Sequence, residues 1–201
     1  MASNRFEAAK EMWRKDAECI SSLQDIISPE LYEQLYETIA SCKGKVAVMG
    51  MGTSGVAARK VAHMIRVADF PAFYLSAGDC AHGGLGAITE DDIIIMLSRG
   101  GTTVELVSLL PSIKRKKCRI ISVSAHEDSP LAQAADLFVK LDVPESDHKG
   151  LTANASILTV IALFDAVADE LTNREGYDEE VLYYNHIHGN VGDMLKDKLG
   201  L

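Results

Sequence analysis

Apolar positions along the chain fall into three patterns, and each predicts a different kind of element. Phe6, Ala9, Met12, Trp13, Cys19, Ile20, Leu23 and Ile27 recur at helical spacing, which predicts one long amphipathic helix over residues 4–27 with Ser3 or Asn4 as its N-cap. Ser28 followed by Pro29 opens a second helix, with the stripe Leu31, Leu35 and Ile39 and a stop at Lys43-Gly44. The second pattern is the short, mostly apolar run, at residues 46–49, 72–75, 93–97, 119–123 and 137–141, each read as a strand, that at 93–97 apolar throughout. Helical segments at 56–68, 104–114 and 130–134 separate them. The third pattern, at 151–171, is apolar nearly all round, as expected of a buried packing helix.

Strands alternating with helices predict an α/β fold: a three-layer sandwich around a five-stranded parallel sheet, flavodoxin- or Rossmann-like, with ligands bound beyond the carboxyl ends of the strands. Residues 77–92, AGDCAHGGLGAITEDD, are expected to form a long loop too glycine-rich for the core. The two leading helices either lie over one sheet face or pack across another subunit.

Two strand-to-helix turns then share one edge of the sheet. The first, in KVAVMGMGTSGVAARK, has Gly50, Gly52 and Gly55 with Thr53 and Ser54, so backbone N–H groups and hydroxyls at a helix N-terminus can face an anion. Its Gly-x-Gly-x-x-Gly spacing admits a dinucleotide, but the next strand ends in Tyr74, Leu75 and Ser76 with no acid for a ribose, and the Walker pattern is absent. The second turn, Ser98-Arg99-Gly100-Gly101-Thr102-Thr103, repeats this chemistry, with Glu105 in the helical turn beyond it. Gly52, Thr53, Ser54, Ser98, Arg99, Gly101, Thr102 and Thr103 therefore form a candidate site for a phosphorylated small molecule. A triphosphate with Mg²⁺ lacks its usual lysine and acids here. The plain alternative is that glycine serves turn geometry and that Ser and Thr cap helices.

With 201 residues, 47% of them hydrophobic, the chain is expected to be a single domain, residues 1–201, with an N-terminal helical extension. A net charge of −9 argues against nucleic acid and anionic membrane as partners. Cys19, Cys42, Cys80 and Cys118 form no Cys-x-x-Cys pair, which together with the lack of a signal core or long apolar run predicts a soluble cytoplasmic protein. Cys80 and His82 with His186 and His188 lack a metal-binding spacing, so no metal and no cofactor is expected.

GMGTSG at 50–55, AHGGLGAITEDD at 81–92, LSRGGTTVE at 97–105 and GLTANAS at 150–156 together resemble the sugar isomerase (SIS) domain family, and within it the arabinose 5-phosphate isomerases. Without room for a C-terminal CBS pair, the chain is similar to the shorter, SIS-only versions. The resemblance implies interconversion of ribulose 5-phosphate and arabinose 5-phosphate through an enediol, in a homotetramer whose sites are shared between subunits, and supply of an eight-carbon acidic sugar for lipopolysaccharide or capsule.

It also implies roles for four residues. Isomerisation moves a proton between adjacent carbons and needs a carboxylate or imidazole base. Glu105 matches a family glutamate and is the candidate acid/base, although a Glu in a first helical turn also complements the helix dipole. His82 matches a loop histidine that approaches the sugar, or is solvated. Glu145 matches a second glutamate, or belongs to a charged turn. His186, in YNHIHGNVG, matches a tail histidine, with His188 as the other imidazole available. Thr53 departs from the pattern, since most family isomerases have Lys there to meet enediolate charge, and Arg99 is the cation at hand in the neighbouring turn, or solvated at the rim. Other phosphosugar isomerisations, such as that of a hexulose 6-phosphate, and a non-catalytic phosphosugar-binding regulatory module are the alternatives.

Overall fold

The structure, a computed structural model, describes residues 2–201. Helix α1 (Ala2–Ser21) runs into a single turn, α2 (Leu23–Ile26), and α3 (Pro29–Ala40) leads to the first strand. Then follow β1 (Val46–Gly50), α4 (Gly52–Val67), β2 (Ala72–Tyr74), α5 (Ala77–Cys80), a 3-10 turn (Gly84–Ala87), β3 (Ile93–Leu97), α6 (Val104–Val107), α7 (Leu110–Lys116), β4 (Arg119–Ser124), α8 (Pro130–Ala134) and β5 (Leu137–Lys140). The chain closes with α9 (Ala155–Thr172), α10 (Glu179–Asn185) and α11 (Gly189–Leu199).

All five predicted strands pair in parallel, in the order β2-β1-β3-β4-β5. β1 and β3 lie side by side in register, Val46 opposite Ile93 through to Gly50 opposite Leu97, and every residue of both is buried. Side chains alternate across this central pair. Val46, Val48, Ile93 and Ile95 face a core completed by Leu35 and Ile39 of α3, the inner stripe of α4 and Leu163, Phe164 and Val167 of α9. Ala47, Met49, Ile94 and Met96 face a second core built from the short helices α5 to α8. The sheet is thus covered by long helices on one face and by short pieces on the other.

The remaining differences from the sequence reading have local causes. The N-terminal pattern breaks at Ser22, whose hydroxyl donates to the Cys19 carbonyl at 2.7 Å and competes with the helical ladder. Its helix already runs at Ala2, so Ser3 and Asn4 stand in the first turn rather than capping it. Ser28 does cap α3, accepting from the Leu31 N–H at 3.2 Å. The segment 104–114 divides into α6 and α7 because Pro111 has no N–H to continue the ladder. Helix α4 begins at Gly52, so the glycine turn is itself the first helical turn. The loop at 77–92 is not excluded from the core: Ala77, Cys80, Leu85 and Ile88 are buried against the sheet, while the residues between them, the glycine- and histidine-bearing tip included, are largely exposed. Of the tail, α10 and α11 form an antiparallel pair joined by Lys198 Nζ to Glu179 at 2.7 Å.

Candidate functional site

The strand order reverses between β1 and β3, because the chain leaves β1 toward β2 on one side and continues from β3 toward β4 on the other. A crevice opens at the carboxyl ends of such a pair. Both hydroxyl-rich turns lie there. Met51 is extended (φ −111, ψ 151) and Gly52 follows at φ +54, which lets α4 start with the N–H groups of Gly52, Thr53 and Ser54 ahead of the first intrahelical bond, from Gly55 to the Met51 carbonyl. No acidic side chain occupies this first turn. Gly50 permits the tight return: a Cβ there would fall 2.5 Å from the Ser54 carbonyl oxygen.

The second turn is closed by its own hydroxyls. Ser98 is buried; its Oγ accepts from the Gly101 N–H at 3.1 Å and shares a 2.8 Å hydrogen bond with Thr103 Oγ1. If Ser98 donates in that pair, the Thr103 proton is left for a ligand. Gly101 sits at φ +65 with its carbonyl accepting from the Leu131 N–H, and a Cβ on it would be 2.1 Å from Ser129 Oγ. Thr102 is exposed. Ser98 is thus the internal brace of the turn, whereas Thr102, Thr103 and the α4 N–H groups are its outward donors.

Ser54, Ser98 and Arg99 meet around a cavity of about 20 Å³ that also includes Ser124 and Ser156. That is room for about one water, so it is the floor of the crevice. Arg99 is held over this floor by Glu145. Its Nε lies 3.4 Å from Glu145 Oε1, and its Nη2 donates to the Val143 carbonyl at 3.3 Å. The Glu145 side chain is fully buried and also accepts from the Asn154 N–H at 2.9 Å, the Ser156 N–H and the Ser156 hydroxyl. It therefore caps the N-terminus of α9, and 144–147 is not a solvated turn. Ser156 was not among the residues singled out, although it closes the GLTANAS segment; only the fold makes it a partner of Glu145.

The other candidates are spread out. Glu105 is exposed in the first turn of α6, directly beyond the second turn. His82 is exposed at the tip of the α5 arm, whose start is capped by Ser76 Oγ accepting from the Asp79 N–H. His186 is elsewhere: it ends α10 and its ring packs edge-on to His63 of α4, centroids 6.2 Å apart. His63 stands eleven residues beyond Gly52, so His186 lies about 16 Å down α4 from the turn in its own chain. His188 is exposed at the N-cap of α11 and His126 is exposed after β4. Among the described residues no group of three His, Cys, Asp or Glu side chains is placed to hold a metal ion, and no helix is long and apolar enough to cross a membrane.

Comparison with known proteins matches the SIS domain to residues 38–168, from the end of α3 to most of α9. The chain belongs to the SIS domain family. Among curated relatives, this SIS domain is 33% identical over 190 residues to arabinose 5-phosphate isomerase KdsD of Yersinia pestis, covering 94% of this chain and 58% of that protein. The enzyme of the same name from Escherichia coli K12 gives the same identity and coverage. The chain thus spans little more than half the length of these relatives. Among solved structures, a sugar-phosphate isomerase homologue from Listeria monocytogenes is 37% identical with a TM-score of 0.91, over 94% of this chain and 99% of that one. An Escherichia coli CFT073 protein solved in complex with a phosphosugar is 30% identical with a TM-score of 0.87, over 92% and 99%.

Proposed function

We infer that this SIS domain is an aldose-ketose isomerase acting on a five-carbon phosphosugar, interconverting ribulose 5-phosphate and arabinose 5-phosphate. The observation that carries this reading is the meeting of two donor-rich turns at the β1/β3 switch point with a carboxylate, Glu105, one helical turn further on. The N–H groups of Gly52, Thr53 and Ser54, with the Thr102 and Thr103 hydroxyls, take the phosphate, where the dipole of the 16-residue α4 adds to their attraction. Anchored there, the sugar chain extends over the crevice floor past Arg99.

Glu105 then removes the proton from the carbon beside the carbonyl and returns it to the neighbouring carbon, with an enediolate between. His82, on its short arm, serves the carbonyl and hydroxyl oxygens that exchange roles. Arg99 supplies positive charge toward the enediolate, reduced by its pairing with Glu145, because Thr53 brings none. Glu145 acts by holding Arg99 and the α9 N-terminus. His186, so far from its own crevice, serves the crevice of a neighbouring copy, which makes the working unit an oligomer, a homotetramer on the family pattern. The curated relatives of the same description support the substrate, as does the homologue with a phosphosugar bound.

Thr53 also favours a second reading, a phosphosugar sensor that binds without turnover, since phosphate binding needs the turns and not an extra cation. Incubation with ribulose 5-phosphate in D2O decides between them. The isomerase reading expects arabinose 5-phosphate carrying deuterium at the carbon next to the aldehyde. Saturable binding with no exchange makes the protein a sensor, and a different aldose overturns the substrate assignment.

A further inference from the structure

Strand β2 stops short of the end of β1. The Val46 N–H donates to the Pro71 carbonyl and the Val48 carbonyl accepts from Leu75, so alternate peptide groups of β1 face β2, and that of Gly50 is the next in the series. No residue of β2 lies opposite it, because the register ends at Val48 and Tyr74 and the chain then leaves at Ser76 for α5. The half-buried Tyr74 fills the gap with its side chain, its hydroxyl donating to the Gly50 carbonyl at 3.4 Å. Over the face of the same ring lies the Arg59 guanidinium of α4, 4.0 Å from the centroid, and Arg59 Nη1 donates to the Gly55 carbonyl at 3.2 Å. Gly55 is packed against both partners: a Cβ on it would fall 2.9 Å from the Gly50 carbonyl oxygen and 3.5 Å from the Tyr74 hydroxyl. One tyrosine and one arginine thus hold the two glycines that bound the first donor turn, Gly50 before it and Gly55 after it.

We propose that Arg59 and Tyr74 are positioning residues for the substrate phosphate, fixing the aim of the Gly52, Thr53 and Ser54 N–H groups that lie between those glycines. The proposal rests on the isomerase reading and deepens it at the phosphate end of the crevice. Packing β2 against α4 would require only the ring and the arginine stem. The polar groups do something further, since each ends on a carbonyl at one side of the turn. The guanidinium also brings positive charge to the β2 side of a turn in which Thr53 brings none. Glu105 and the reacting carbons lie beyond the other turn, so the pair governs how tightly the phosphate is held more than how fast the proton moves.

Turnover of arabinose 5-phosphate by the intact protein, together with its Kd from calorimetry, tests this in Tyr74→Phe, Arg59→Lys and Arg59→Met. Tyr74→Phe keeps the ring beneath Arg59 and removes only the hydroxyl; KM and Kd are expected to rise about threefold with kcat within about twofold of the parent. Arg59→Met loses the charge and the bond to Gly55, and a rise of about tenfold is expected. Arg59→Lys keeps the charge over the ring without the planar fork, and is expected to fall between Arg59→Met and the parent. Variants whose denaturation midpoints drop while Kd stays at the parent value make the pair a packing contact and overturn the proposal. A fall in kcat at unchanged KM also overturns it, by assigning the pair to the chemical step. If Arg59→Met does not fold, Tyr74→Phe and Arg59→Lys decide the matter by the same two criteria. A parent that binds arabinose 5-phosphate without converting it removes the isomerase reading and leaves the brace to be judged by Kd. A parent that binds neither the sugar phosphate nor inorganic phosphate overturns both.

Discussion

Arg99 and Glu145 form an ion pair that joins the turn after β3 to the N-terminus of α9, with the carboxylate fully buried and the guanidinium half exposed. One carboxylate thereby serves a helix cap and a site cation together. Removing it as Glu145→Ala leaves the Asn154 and Ser156 N–H groups without their acceptor, for an expected loss of about 3 kcal/mol in chemical denaturation. Glu145→Gln retains an acceptor oxygen and is expected to cost about half as much while releasing Arg99. A fully stable Glu145→Ala protein contradicts the capping role.

The two positive-φ glycines of the crevice differ in what surrounds them. Gly101→Ala places a Cβ 2.1 Å from Ser129 Oγ at φ +65, so strain and clash add, and a loss of about 3 kcal/mol or failure to fold is expected. Gly52→Ala meets open space and carries only the conformational penalty, about 1 kcal/mol. Denaturation midpoints that rank the two variants the other way refute this account.

Asp92 is a buried carboxylate whose titration links stability to acid. Burial alone raises its carboxyl, but the N–H groups of Thr89 and Lys45, the Lys45 ammonium and the Thr89 hydroxyl outweigh that and hold it below the usual carboxylate range. A depressed folded value contributes stability fully present above the unfolded value of about 3.9 and lost as pH falls through the lower folded value. Asp92→Asn is expected to be destabilised by about 2 kcal/mol at neutral pH and to approach the parent as pH drops below about 4. Parallel stability curves over that range remove Asp92 from the explanation.

Sharing of His186 predicts complementation. Glu105→Gln and His186→Ala are each expected to be nearly inactive, and co-refolded mixtures to regain a fraction of the parent turnover as intact pairs form across copies. Verified mixed oligomers with no gain over either parent place His186 outside the site.

The strands were legible because each is a mostly apolar run of three to six residues with punctuation on both sides, and parallel order followed from the alternation with helices. The donor turns were legible for the same reason, as glycine and hydroxyl clusters at strand ends. Contacts between distant segments were not. Nothing in the sequence ties Arg99 to Glu145, or Ser156 to either, because those bonds exist only once β3, β5 and α9 meet at one edge. The buried side of the 77–92 loop was missed because Leu85 and Ile88 are isolated apolar residues among glycines, without a period to reveal a packed face.

The β1–β3 pair also shapes how the chain comes off the ribosome. Val46–Gly50 is made early, yet the strand that completes its inner flank is not finished until Leu97, and no hairpin can bring the two together sooner. While residues 51–93 are being added, an uncharged, β-prone segment waits with one edge open, and Ile93–Leu97 emerges as a second such segment. Dilute conditions and slow synthesis favour this chain, because at high concentration the nearest strand available to either segment belongs to another molecule.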